Sequence, residues 1–219
     1  MMWMVAAMCV ALLAGQSMAT TATLTMTDWS CASPLGGWAG VSAGIVAYSG
    51  YYYTDVDTVN NYLKFDVSSL NVPGLVVQSA KLTIWTGGQY GPTFSENVYA
   101  VASDSWTKTS VTNANKPAFG SLLTTVGWPG DWASFVITPA SLAAYVQQEA
   151  TGDGIVSLGM KAAADCVMQT NMTPRHVWYM GTDPTTWYAT TLDVTYIPEP
   201  ATMTMLGLGA LAMLRRRRA

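Results

Sequence analysis

The sequence predicts an all-β body, an antiparallel β-sandwich or jelly roll with one short helix, carried between a terminal signal segment and a C-terminal hydrophobic helix. Three observations predict it: short runs in which apolar and polar residues alternate, turn residues between those runs, and two apolar ends unlike the rest of the chain. The 219 residues are 50% hydrophobic and 11% charged, whereas an average soluble domain has about 25% charged residues. That much apolar sequence excludes disorder. The length suits one domain of ordinary size.

The first element is residues 1–19, read as a signal peptide. An apolar stretch from Trp3 to Ala14 precedes Ser17-Met18-Ala19, a small-x-small step that marks cleavage after Ala19. Only the terminal amine supplies positive charge ahead of it. The alternative, a hydrophobic first strand, requires Met- and Ala-rich sequence to form β structure against its propensity. The last element is residues 197–219. Pro198, Glu199 and Pro200 are followed by a predominantly apolar run of 14 residues, Ala201–Leu214, and then by Arg215, Arg216, Arg217 and Arg218. Such a run makes a helix of about 21 Å, short of the roughly 30 Å hydrocarbon core, and the arginines favour a cytoplasmic end. This three-part end resembles the PEP-CTERM sorting signal. The resemblance implies a short transmembrane helix, transient membrane anchoring, and processing by a membrane exosortase in bacteria that secrete a polysaccharide matrix. A plain tail anchor is the alternative.

Between the ends, residues 20–197 hold 12 acidic and 6 basic side chains. A net negative body lacks the basic face that displaces counterions from phosphates, so nucleic acid is excluded as a partner. Cys31 and Cys166 remain after the signal is removed, and in an oxidising compartment they are candidates for a disulfide; two buried thiols are the alternative. A bridge over so long a loop would constrain the unfolded chain by about 4–5 kcal/mol.

Alternation is clearest over residues 62–67, where Leu63, Phe65 and Val67 share one face and Tyr62, Lys64 and Asp66 the other. The same pattern predicts strands over 80–85, 133–137, 155–158 and 192–196. Turns are expected at Pro73-Gly74, Gly87-Gly88, Gly91-Pro92, Pro129-Gly130 and Asp153-Gly154. One segment reads as helix. Thr138 is the expected cap, Pro139 suits the first helical position, and Leu142, Tyr145, Val146 and Glu149 recur at three-four spacing to cover an open end of the sandwich.

The order of these segments resembles the DNRLRE domain, a carbohydrate-binding-module family of secreted bacterial proteins. The matching stretches are residues 62–70, 79–84, Ser105-Trp106 with Ser110-Val111-Thr112 and Asn115-Lys116-Pro117, then 132–138 with the short helix, and Asp153-Gly154-Ile155. They span most of residues 55–196. The resemblance implies a β-sandwich of the kind appended to enzymes or carried on surface proteins, with alginate binding attributed to some members.

Chemistry-bearing patterns are few. Gly40-Val41-Ser42-Ala43-Gly44 fits the G-x-S-x-G elbow with His176 downstream, but that elbow works at the top of a parallel sheet with alternating helices, which this sequence does not encode. Arg175-His176 near Tyr179 has the residue types of a polysaccharide lyase; an exposed loop pair is the preferred reading. Asp55 and Asp57, with Asp28 as a third, are candidate oxygen ligands for a structural calcium, against plain solvation, which is the preferred reading. One His and two Cys are too few for a multi-ligand zinc site, and no cofactor is expected. The aromatic residues offer the better functional surface, because flat rings stack on the C–H faces of sugars. Candidate carbohydrate-binding residues are Trp38, Tyr51, Tyr52 and Tyr53, with Trp178, Tyr179, Trp187 and Tyr188 as a second group. The expectation is an exported, non-catalytic surface or extracellular-matrix protein that binds polysaccharide. A purely structural protein without a ligand and a lyase or hydrolase are the two alternatives.

Overall fold

A computed structural model describes residues 18–32, 46–50, 59–167 and 174–198. The described strands are β1 (Thr20–Ala32), β2 (Val46–Gly50), β3 (Asn60–Asp66), β4 (Val76–Tyr90), β5 (Ser95–Ala100), β6 (Leu122–Gly127), β7 (Ser134–Ile137), β8 (Ile155–Ala162), β9 (Arg175–Tyr179) and β10 (Thr191–Ile197), with helix α1 (Ala140–Thr151) between β7 and β8. All strand pairs are antiparallel. In the first sheet β4 is central: β7 lies on one flank, and β10 and β9 lie end to end on the other. Beyond them come the first half of β1, beside β10, and β2, beside β9. The second sheet runs from the second half of β1 through β3, β8 and β5 to β6. β1 changes sheets at a bulge between Met26 and Asp28, so one strand ties the two layers together.

The alternation read from the sequence decides what lies between the layers. Leu63 and Phe65 from β3, Leu82 and Ile84 from β4, Phe135 and Ile137 from β7 and Leu192 and Val194 from β10 meet in one core. Fully burying each such side chain contributes about 1.5–3 kcal/mol. Helix α1 starts one residue later than expected: Pro139 is the N-cap, with no side-chain cap bond, and Thr138 lies before it. Leu142, Tyr145 and Val146 are buried as predicted, against β4 of one sheet and β8 of the other. The Tyr145 hydroxyl shares its proton between the carbonyls of Ser157 at 3.0 Å and Val101 at 3.1 Å, and burial pushes its pKa up.

Two expectations about local chemistry change. Gly87-Gly88 is not a turn: it lies within β4, where a bulge between Thr86 and Gly88 shifts the register toward β9. Cys31 and Cys166 are both buried thiols, not a disulfide. Cys31 sits on β1 opposite Asn61 of β3. Cys166 follows β8, packs with Phe94 and Ala162, and has its Sγ 3.9 Å from the Pro174 carbonyl. Each thiol fills apolar volume in its own place, as buried cysteines commonly do.

Candidate carbohydrate-binding face

On β4 and β9 the side chains facing away from the core begin with Trp85 and Tyr179, which are cross-strand partners. In the segment between β9 and β10, Trp187 and Tyr188 close over them. Trp187 has its ring centroid 5.5 Å from Trp85 and 5.5 Å from Tyr179, and Tyr188 lies 5.1 Å from Trp187 and 5.8 Å from Tyr179. From the opposite flank of β4, Trp132 reaches across the strand to within 5.6 Å of Tyr179. Five rings therefore gather on one outer face, and Trp132 and Trp187, 62% and 55% exposed, offer the most open surface.

Two features of β4 allow this gathering. Gly87 leaves room under the rings, since a Cβ there would stand 2.9 Å from Tyr179 Cε2 and 3.0 Å from Val177 Cγ1. Thr86, fully buried beneath, pins the turn that presents Trp132. Its hydroxyl donates to the Gly130 carbonyl at 2.8 Å and accepts from the Ala133 amide at 2.9 Å, while its own amide donates to the Ala133 carbonyl at 2.9 Å. Trp132 takes φ 55°, the one positive φ outside glycine among the described residues. Such a conformation costs of order 1–3 kcal/mol and persists only when its surroundings impose it. Here the imposed conformation turns a large apolar side chain toward solvent.

Of the second aromatic group named from the sequence, Tyr179, Trp187 and Tyr188 belong to this face and Trp178 does not. Trp178 alternates inward from Tyr179, is fully buried, and meets Phe135 at 4.9 Å and Trp128 at 5.2 Å edge to face. Trp85 and Trp132 were not named as binding residues. Trp85 carried a signal, since alternation over 80–85 places it opposite Leu82 and Ile84. Nothing local marked Trp132. Trp38, Tyr51, Tyr52 and Tyr53 lie outside the described residues, as do Ser42, Asp55 and Asp57.

The acid–base candidates have structural surroundings. His176 is on β9, not on an exposed loop, and is fully buried. Its ring is stacked between Phe94 at 3.7 Å and Trp128 at 3.9 Å, and its Nδ1 lies 2.8 Å from Glu96 Oε1, reached from β5 of the other sheet. Desolvation pushes its pKa down to about 3, so the imidazole is neutral and shut away from any external substrate. Arg175 lies over the Tyr90 ring at 4.3 Å. Asp28 accepts from the amides of Trp29 at 2.9 Å and Lys108 at 3.0 Å, which ties β1 to the segment between β5 and β6. Among the described residues no group of three or more His, Cys, Asp or Glu gathers as a metal site.

The described residues thus form a two-layer antiparallel sandwich with an open aromatic face. Residues 51–175 match carbohydrate-binding module family 96, and because the match covers more than half of the chain, the protein belongs to that family. The match carries the carbohydrate-binding class implied by the DNRLRE resemblance, not the DNRLRE name. Trp85 and Trp132 fall inside it; Tyr179, Trp187 and Tyr188 lie just beyond its end. Residues 197–218 match the PEP-CTERM protein-sorting motif, which implies export and sorting to the cell surface. Among the described residues no helix is long and apolar enough to cross a membrane; Glu199, Pro200 and the run ending at Arg218 lie outside them. No curated protein matches the sequence. Among solved structures, the chain is similar to a cleaved adhesin domain of Lys-gingipain from Porphyromonas gingivalis, at 14% identity over 80% of this chain and 97% of that one, with a TM-score of 0.35.

Proposed function

We propose that this is an exported, non-catalytic surface or extracellular-matrix protein that holds polysaccharide on the face built by Trp85, Trp132, Tyr179, Trp187 and Tyr188. Residues 1–19 act as its signal peptide. An exosortase processes its C-terminus, which anchors it transiently in the membrane through the apolar run Ala201–Leu214. The observation that carries the binding role is the exposure of large rings around a backbone strained to present one of them. Sugars present C–H faces that stack on such rings, and aromatic residues in open contact sites account for much of the binding energy in recognition surfaces. A matrix-only role gives no reason to hold Trp132 in a costly conformation facing water. The acid–base pair considered for a lyase does not reach this face, since the single histidine is sealed between two rings.

Affinity electrophoresis of the full chain through polysaccharide-containing gels tests the binding role. Trp132→Ala combined with Trp187→Ala is expected to weaken retention by about ten- to a hundredfold, equivalent to about 1.4–2.8 kcal/mol, with the unfolding temperature nearly unchanged. Equal retention of this variant and the natural chain would remove the face from the binding role.

A further inference from the structure

We infer that the polysaccharide held on this face is uncharged, and that chains of uronic acids are not its ligands. The inference rests on the aromatic face being the glycan site and concerns what lies around it. The body has 6 basic side chains. Lys64, Lys108, Lys116 and Lys161 are on the other side of the molecule. Lys64 and Lys161 are on the outward sides of β3 and β8, and Lys108 and Lys116 are in the segment covering that sheet. The outward rows that include the platform contain two cations. Lys81 is four residues from Trp85 along β4, and Arg175 is four residues from Tyr179 along β9, each about 13 Å away. Both have partners: Lys81 Nζ is 2.6 Å from Asp193, and Arg175 covers the Tyr90 ring. At physiological salt the Debye length is about 8 Å, so neither cation acts strongly on a carboxylate stacked at the platform.

The charged residues nearest Trp132 and Trp187 along the chain are acidic. Asp131 precedes Trp132 and accepts from Trp128 Nε1 at 3.3 Å. Asp183 opens the segment carrying Trp187; the amide and hydroxyl of Thr185 donate to it at 2.9 and 2.7 Å and hold its carboxyl below the usual carboxylate range. Beside the rings the sheet offers hydroxyls. Ser134 is the partner of Trp85, and the next row holds Thr83, Thr191 and Thr25. Rings for C–H faces, hydroxyls for sugar hydroxyls and acids at the border make a site that accepts neutral sugars and repels carboxylates.

The test runs the full chain through gels containing a neutral glucan, a galactomannan, alginate or polygalacturonate, each in low and in high salt. The expected result is retention by a neutral polymer, insensitive to salt and lost in Trp132→Ala, with retention by either uronate at least about tenfold weaker even in low salt. Uronate retention that fades with salt and needs Trp132 would overturn the inference while leaving the aromatic site standing. Retention by no polymer, or retention indifferent to Trp132 and Trp187, would remove the site and the inference together.

Discussion

Among the described residues, both outer faces of the sandwich carry a cluster of aromatic rings; one is covered and the other is open. On the second sheet Tyr62, Tyr99, Trp106 and Phe119 gather much as the five rings do on the first. Tyr99 and Phe119 stack at 4.8 Å, and Tyr62 lies 5.5 Å from Phe119 and 5.9 Å from Trp106. A glycine serves both clusters. A Cβ on Gly159 would strike Phe119 at 2.3 Å, just as one on Gly87 would strike Tyr179 at 2.9 Å. The difference is the segment between β5 and β6, which folds back over the second sheet. It leaves Trp106 4% exposed, takes a hydrogen bond from the Tyr62 hydroxyl to the Pro117 carbonyl at 2.8 Å, and draws Lys64 beneath it to the carbonyls of Asp104 and Trp106. Among the described residues, then, similar aromatic content on the two faces meets solvent on one alone, and that exposure is what the proposed site rests on. The covered cluster holds the molecule together, and the open one meets the outside.

The contrast is broken most severely at Trp106. Trp106→Ala is expected to cost about 3–5 kcal/mol of stability, read by denaturant unfolding, with glycan retention at permissive temperature unchanged. A loss of retention without loss of stability would place the binding role on the covered face instead.

The core between the faces gives the next effect, through pH. His176 is neutral when folded, with its pKa pushed down to about 3 by burial, and near 6.5 when unfolded. Between these values the unfolded chain binds a proton that the folded chain does not, so this group makes stability fall as pH falls, by about 1.4 kcal/mol per pH unit. The raised pKa values of Asp104 and Glu149, where desolvation is the first cause, act in the opposite sense at the acid end of that window. His176→Gln, which keeps a donor for Glu96, is expected to flatten the slope from pH 6.5 downward. An unaltered slope would mean that the buried imidazole does not set it.

The two glycines sharpen the comparison with smaller effects. Gly159→Val forces Phe119 off its stack and is expected to lower stability by about 1–3 kcal/mol without touching binding. Gly87→Val displaces the Tyr179 ring and is expected to weaken glycan retention by roughly three- to tenfold, or less than about 1.4 kcal/mol. Alkylation of the denatured, unreduced body at both Cys31 and Cys166, read by intact mass, is the expected sign that they are thiols; an unmodified pair would show a bridge.

How far the sequence carries depends on how many faces of a strand are dry. β3, β4, β7 and β10 were legible because each has a core side and a more polar side, and α1 because Leu142, Tyr145 and Val146 fall on one stripe. β1 was not legible. It changes sheets at its bulge, and from Trp29 to Ala32 both its faces are buried, one in the core and the other under the covering segment, where Ser30 donates to the Lys108 carbonyl at 3.4 Å. Period two vanishes when both sides are covered. Gly87-Gly88 read as a turn because local chemistry cannot distinguish a turn from a bulge that clears space for a ring. The aromatic face was half legible. Tyr179, Trp187 and Tyr188 are near neighbours in the chain, whereas Trp85 and Trp132 join them only through the pairing of β4 with β7 and β9.

Tryptophan oxidation footprinting, read residue by residue by mass spectrometry with and without a neutral polysaccharide, tests the open-face account most directly. The account predicts that the glycan protects Trp132 and Trp187, while Trp106 and Trp178 react little in either state. Protection confined to Trp38, or oxidation of Trp132 and Trp187 that a bound glycan leaves unchanged, would contradict it.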